Sequence, residues 1–203
     1  MISVPAPLRL LCATSNPGKA REFSLAAGER VTIEPLPGFR DIPPCVEDAA
    51  TFADNAIIKA RHYGAHAAGL LFADDSGLEV DALGGAPGVF SARYSGPAAT
   101  DESNNRLLLE KLDGVKDRRA RFVCAIAAVD GARLVGVYTG SVEGRILDAP
   151  RGSGGFGYDP LFYYAPFGCT FGEVEGERKF GVSHRGQALR EMLRELVDNE
   201  PAR

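Results

Sequence analysis

The chain reads as an α/β protein built on a mixed β-sheet, and three observations predict it. An apolar run, Leu8 to Ala13, breaks at a polar turn and passes into a helical pattern that reaches about Ala27. A second helix, opened at Thr51, is followed by another apolar run starting at Leu70. Farther on, two long strand-like segments, Arg121 to Val129 and Arg133 to Arg145, flank Asp130-Gly131, a strong hairpin signal. Strands alternating with helices, together with one antiparallel hairpin, give a mixed sheet flanked by helices.

Size and composition bound the rest. With 203 residues, one compact domain with room for two lobes is expected over 1–203. A chain of this length buries roughly 70% of its unfolded surface, enough for a core without staples. The net charge of −4 argues against a nucleic-acid polymer as partner, so any phosphate recognition has to be local. Cys12, Cys45, Cys124 and Cys169 show no metal-ligand spacing, and three of them sit in strand-like surroundings. Reduced thiols in a cytoplasmic protein are the expectation. Leu8 to Ala13 is the only apolar run near the start, too short for a membrane span and not shaped as a signal peptide.

In chain order, the first turn is Thr14-Ser15-Asn16-Pro17-Gly18, with Lys19 opening the helix. Pro-Gly suits a type II turn, and a helix N-terminus behind it offers N–H groups and positive dipole to an anion. Lys19 opposes that dipole, so the stretch is either a phosphate site or a surface turn with a solvated lysine. It is not a Walker A loop, because the GxxxxGK[ST] spacing is absent. Val31 to Pro35 is a second strand, and Leu36 to Ala50 is a loop rich in proline and acid, including Glu47. Thr51 to Asp54 has the form of a capping box with aspartate in place of glutamate. Phe52, Ala56, Ala60 and Tyr63 then form one apolar stripe. His62 and His66, one turn apart, have no local acidic partner and read as a polar-face pair.

The run Phe72 to Gly96, FADDSGLEVDALGGAPGVFSARYSG, is the centre of the chain. It predicts a short buried strand ending in Asp74-Asp75, and strand alternation sends adjacent side chains to opposite faces. One aspartate then faces chemistry while the other braces a loop, since a buried carboxylate needs a partner. Ser91, Arg93, Tyr94 and Ser95 follow as donors on the glycine-rich loop. An aspartate-capped turn is the structural alternative. Thr100 caps a helix from Asp101 to about Leu112. After the hairpin, Arg151 to Tyr158 is a glycine-rich loop before a short strand, Leu161 to Tyr163. Phe156 and Tyr158 are exposed-loop aromatics, suited either to stacking on a base or to packing on the loop itself. Glu173 to Gly181 reads as loop around Lys179. The last helix, from about Arg185 to Val197, carries Leu189, Met192, Leu193, Leu196 and Val197 on one face. His184 and Arg185 place positive groups at its start, against the dipole, as ligand contact would require.

Phe72 to Gly96 resembles the signature of the inosine triphosphate pyrophosphatase family, the XTP/dITP diphosphatases that act on non-standard purine nucleoside triphosphates. Four further blocks match in order: ATSNPGKAREF at Ala13, FADNAIIKA at Phe52, GGFGYDPLF at Gly154 and SHRGQAL at Ser183. The resemblance implies an elongated mixed sheet in two lobes with an active cleft between them, and commonly a homodimer. It implies magnesium-dependent hydrolysis of ITP, dITP and XTP to the monophosphate and pyrophosphate. By the same resemblance, Thr14, Ser15, Asn16, Pro17, Gly18 and Lys19 grip the triphosphate, and Glu47 is a magnesium ligand. Asp75 is the general base and a metal ligand, beside Ser76 in the substrate site. The resemblance also places Phe156, Gly157, Tyr158 and Asp159 in the substrate site, and Lys179, His184 and Arg185 at the purine and its neighbourhood. A phosphatase releasing orthophosphate and a nucleotide-binding module without turnover are the two rivals. Against a phosphatase of the haloacid dehalogenase type, Asp74-Asp75-Ser76-Gly77 lacks the DxD nucleophile pattern, and a pure binder has no use for a carboxylate aimed at phosphate.

Overall fold

The structure, a computed structural model, describes residues 6–198. Seven strands form one mixed sheet in the order β2-β1-β3-β4-β5-β6-β7. These are β1 (Leu8–Cys12), β2 (Val31–Pro35), β3 (Leu70–Val80), β4 (Arg119–Asp130), β5 (Arg133–Ile146), β6 (Phe162–Tyr164) and β7 (Cys169–Thr170). The helices are α1 (Pro17–Ser24), α2 (Phe52–Gly64), α3 (Asp101–Lys111), α4 (Gly176–Val182) and α5 (His184–Asp198). β1 pairs in parallel with β2, Leu8 opposite Val31, and with β3, Leu11 opposite Leu71. β6 runs antiparallel to β5 and to β7, so the sheet is mixed as the sequence predicts. No helix among the described residues is long and apolar enough to cross a membrane.

Contacts divide the chain into two units. Unit 1 holds residues up to Asp75, Ala125–Thr139 and Gly186 onward; unit 2 holds Ser76–Cys124 and Gly140–Arg185. In unit 1 the apolar runs of β1 and β3 are buried, Leu10, Leu71, Phe72 and Ala73 fully so, and Phe23 of α1 meets Phe72 edge to face at 5.0 Å. The α2 stripe lies inward as its spacing requires, with Phe52, Ala56, Ala60 and Tyr63 all buried. Leu189 and Met192 of α5 are fully buried, which fastens that helix. Unit 2 is built around Leu78, Val80, Leu108, Leu112, Phe122, Ile146, Tyr158, Leu161, Phe162 and Phe171. Burying each such large apolar side chain contributes about 1.5–3 kcal/mol.

Four local expectations change. Helix α1 starts at Pro17, not Lys19, because proline at the first helical position has no N–H to lose and its φ is already helical. β3 does not end at Asp74-Asp75 but continues to Val80. It can do so because both carboxylates have partners and because Gly77 has no side chain: a Cβ there would meet the Gly88 carbonyl at 2.6 Å as well as the Ser91 hydroxyl. Lys179 lies on a short helix, α4, rather than in a loop, with Phe180 buried as its apolar anchor. The Asp54 carboxylate accepts from the Thr51 hydroxyl at 2.6 Å, so the cap at Thr51 works through its own oxygen and the Asp54 N–H.

Candidate active site

The acidic constellation belongs to unit 1. Asp74 and Asp75, adjacent on β3, take different partners, as the strand period requires. The Asp74 carboxylate is buried and pairs with Lys19 Nζ at 2.8 Å. Asp75 Oδ2 accepts from Asn55 Nδ2 at 3.0 Å, and the Oδ1 of the same buried asparagine accepts from Ala49 N at 2.9 Å. Lys59 Nζ reaches Glu47 at 2.7 Å and the Asp74 carbonyl at 3.0 Å. Three carboxylates thus gather around two lysines.

Their electrostatics follow from this crowding. The Asp75 carboxyl is pushed up from its ordinary value, first by burial and also by the Glu47 charge. Lys59, Lys19 and the Asn55 hydrogen bond pull in the opposite direction. Burial acts to lower the Lys59 ammonium, but Asp74, Glu47 and Asp75 outweigh it and hold the group above its usual range. Lys59 and Asn55 were not among the residues singled out in the sequence. They stand one turn apart on α2, where a lysine reads as solvated surface and an asparagine as a neutral helix position. The one legible sign was their place within FADNAIIKA.

Helix α2 also fixes the loop that carries Glu47. Asn55 holds Ala49, the Tyr63 hydroxyl accepts from Cys45 N at 3.4 Å, and His62 Nε2 donates to the Pro43 carbonyl at 2.7 Å. His62 therefore braces a loop as well as lying edge to face with the His66 ring, 6.2 Å between centroids. Glu47 and Asp75 supply hard oxygen donors, the kind that hold magnesium through one or two carboxylates with substrate phosphates completing the shell.

The first turn is organised differently from the expectation. Asn16 caps α1: its Oδ1 accepts from Gly18 N at 2.8 Å and Lys19 N at 3.1 Å, while Ala20 N donates to its carbonyl at 3.0 Å. Pro17 has no N–H, so the helix start has no vacant backbone donor for an anion. The lysine that opposes the dipole is accounted for by Asp74. Donors facing outward on this stretch are side chains: Thr14 and Ser15 line a hollow of about 520 Å³ with Pro35, Leu36 and Arg40.

The second constellation lies in unit 2. Lys179 Nζ and Asp159 Oδ2 form a buried ion pair at 2.5 Å, and the same oxygen accepts from Phe156 N at 2.9 Å. The half-buried Phe156 ring lies 4.8 Å from Lys179 Nζ and 5.3 Å from the Arg185 guanidinium carbon, within cation–π range of both. Arg185 donates to Ser76 Oγ at 2.9 Å. The His184 ring stacks on Phe122, 4.9 Å between centroids and 14° from parallel. Six of the expected substrate-site residues, Ser76, Phe156, Asp159, Lys179, His184 and Arg185, thus fall in one unit, all but Ser76 and Phe156 among its buried groups.

Tyr158 is the exception. It is not an exposed aromatic: its ring belongs to the apolar core, and its hydroxyl donates to the Ser91 carbonyl at 2.8 Å. Burial, with the charge of Asp101, raises its pKa and keeps the phenol neutral. The donor-rich loop is likewise self-directed. Ser91 Oγ accepts from Leu78 N at 2.9 Å and donates to Gly88 O at 2.6 Å, and Ser95 N donates to Asn104 Oδ1 at 2.8 Å.

Residues 10–195 match the profile described as the Ham1 family. A dITP/XTP pyrophosphatase of Syntrophobacter fumaroxidans is 52% identical over 189 residues, 92% of this chain and 81% of the relative. One from an Exiguobacterium species is 46% identical, over 94% of this chain and 97% of the relative. The solved structure of a HAM1 protein from Coxiella burnetii superposes with a TM-score of 0.83 at 38% identity, covering 94% of this chain and 99% of that one. Five ordered sequence blocks, a matching sheet and relatives aligned along nearly their whole length agree: the chain belongs to the Ham1 family.

Proposed function

We propose that this protein hydrolyses non-standard purine nucleoside triphosphates, ITP, dITP and XTP, to the monophosphate and pyrophosphate. The observation that carries the reading is Asp75: a buried carboxylate, raised in pKa, pinned through one oxygen by Asn55 and close enough to Glu47, Lys59 and Lys19 to respond to their charges. Such a group is suited to accept a proton from water. In the reaction the water oxygen bonds to the α-phosphorus, the bond to the bridging oxygen breaks, and pyrophosphate leaves while Asp75 takes the proton. Lys19 and Lys59 neutralise phosphate charge. Asn55 keeps the Asp75 carboxylate turned to the water. Glu47 and Asp75 would hold Mg²⁺, which when bound supplies charge neutralisation at the phosphate oxygens. Phe156 stacks on the purine, and Lys179, His184 and Arg185 offer hydrogen-bond donors to its 6-oxo group. The names of the relatives support the substrate class. A cytoplasmic homodimer belongs to the same proposal, with sedimentation as its check.

The test is turnover of ITP, XTP, GTP and ATP with magnesium, measuring pyrophosphate and orthophosphate separately. Pyrophosphate from ITP and XTP, abolished by EDTA and restored by magnesium, is the expected outcome. Orthophosphate as first product would overturn the reaction, and full activity in excess chelator would overturn the metal.

A further inference from the structure

Residues outside every motif in the sequence hold the backbone beside Phe156. The next residue, Gly157, has φ +61°, a left-handed backbone that glycine adopts at little cost. Both of its polar backbone groups are taken by one helix. Gly157 N donates to Asp101 Oδ2 at 2.6 Å, and Asn105 Nδ2 donates to Gly157 O at 3.0 Å. Asp101 and Asn105 are four residues apart and share a face of α3, so together they grip a single peptide position. The Asn105 Oδ1 is buried with no hydrogen-bond partner among the described residues, so the Gly157 carbonyl sets that amide's orientation.

Helix α3 is a firm support. Thr100 and Ser103 close a reciprocal capping box, Asn104 bonds the Ser91 and Ser95 backbones, and Leu108 and Leu112 are fully buried. The loop it grips is packed on its other flank, where Tyr158 and Leu161 are buried in the core and Gly154 N donates to the Gly172 carbonyl at 2.8 Å. A hollow of about 570 Å³ opens between loop and helix, lined among others by Asn105, Leu109, Gly154, Phe156 and Pro160. With open volume on the α3 side, the two bonds to Gly157 tie the loop to that helix.

We infer that Asp101 and Asn105 are positioning residues for purine recognition: by holding both sides of Gly157 they fix the Phe156 ring where Lys179 and Arg185 converge. This rests on the reading that those three residues receive the purine. An ordinary role for Asp101, complementing the α3 dipole, would leave recognition unchanged.

The experiment compares Asp101→Ala, Asp101→Asn and Asn105→Ala, each alone and with Phe156→Ala, by turnover of ITP and ATP, thermal midpoint, and affinity for a non-hydrolysable inosine triphosphate analogue. Losing one hydrogen bond from the clamp should raise KM for ITP about fivefold to tenfold, with kcat within about twofold, and narrow the ITP to ATP ratio. Asp101→Asn keeps an acceptor and should recover most of the loss. In the Phe156→Ala background neither alanine substitution should weaken binding further, because the ring through which they act is gone. Equal loss with and without Phe156, unchanged KM in both alanine variants, or Asp101→Asn as damaged as Asp101→Ala would each overturn the inference. Wild-type protein that binds the analogue without releasing pyrophosphate overturns the hydrolytic reading, and the clamp is then judged by the dissociation constants. Wild-type protein that does not bind it overturns both.

Discussion

Asp75 and Asp74 are neighbours in sequence with different environments, and substitutions should separate them. Asp75→Asn keeps the shape and the Asn55 contact region but removes the base, so kcat should fall about 10²- to 10⁴-fold while substrate still binds. Near-normal turnover would move the role elsewhere. Lys19→Ala removes an ion-pair partner from the buried Asp74 carboxylate, and breaking a buried ion pair costs about 3–5 kcal/mol, less here because Lys19 is partly exposed and Lys59 also acts on Asp74. Urea unfolding should therefore show Lys19→Ala destabilised, with Asp74→Asn in the same background restoring much of the loss. No recovery would mean that the loss does not come from the Asp74 charge. On the purine side, Arg185→Ala should lower kcat/KM for ITP far more than for ATP, because an arginine only donates and adenine presents an amino group at position 6. Lys19→Ala should depress both nucleotides alike. Equal losses for ITP and ATP in Arg185→Ala would reassign the arginine to holding Ser76.

At the scale of elements, β3 and the Gly88–Arg93 turn are locked by close approach at Gly77. Gly77→Ala pushes a methyl group against the Gly88 carbonyl and the Ser91 hydroxyl, and overpacking of this kind costs about 1–3 kcal/mol, readable as a shift in urea midpoint. A variant within about 0.5 kcal/mol of wild type would show that the turn yields freely. This strand also shows where sequence reading stops. Asp-Asp-Ser-Gly has the composition of a turn, and only tertiary partners, Lys19, Asn55 and Arg185, allow it to remain extended. The hairpin was legible because Asp-Gly carries its own turn chemistry, and Gly131 does adopt positive φ. α4 was not, since GERKFGV has one strong apolar anchor and no periodic face. Lys179, His184 and Arg185 were legible as residues but not as a buried group, because burial depends on Phe122, Phe171 and Asp159 from distant parts of the chain. Tyr158 misled for the same reason: a tyrosine among glycines looks exposed until Ser91 supplies an acceptor for its hydroxyl.

For the whole molecule, thiol chemistry reports on integrity. None of the four cysteines forms a disulfide; Cys12 and Cys124 are buried, and burial, with the Asp74 charge, raises the Cys12 thiol far from reactivity. Native protein should therefore leave Cys12 and Cys124 unmodified by a thiol reagent such as DTNB, and all four should react in denaturant. Rapid labelling of Cys12 in the native state would mean that β1 opens far more readily than its burial implies. The interleaving of the two units has a consequence for biosynthesis. The chain passes from one unit to the other after Asp75, Cys124, Thr139 and Arg185, so neither unit is a contiguous stretch. Unit 1 begins first yet still needs residues beyond Gly186, among them the buried Leu189 and Met192. A ribosome adding about 5–20 residues per second cannot release a finished first unit ahead of the second. The nascent chain therefore cannot complete unit 1 until Leu189 and Met192 emerge, which puts the last packing step of that unit near the end of translation.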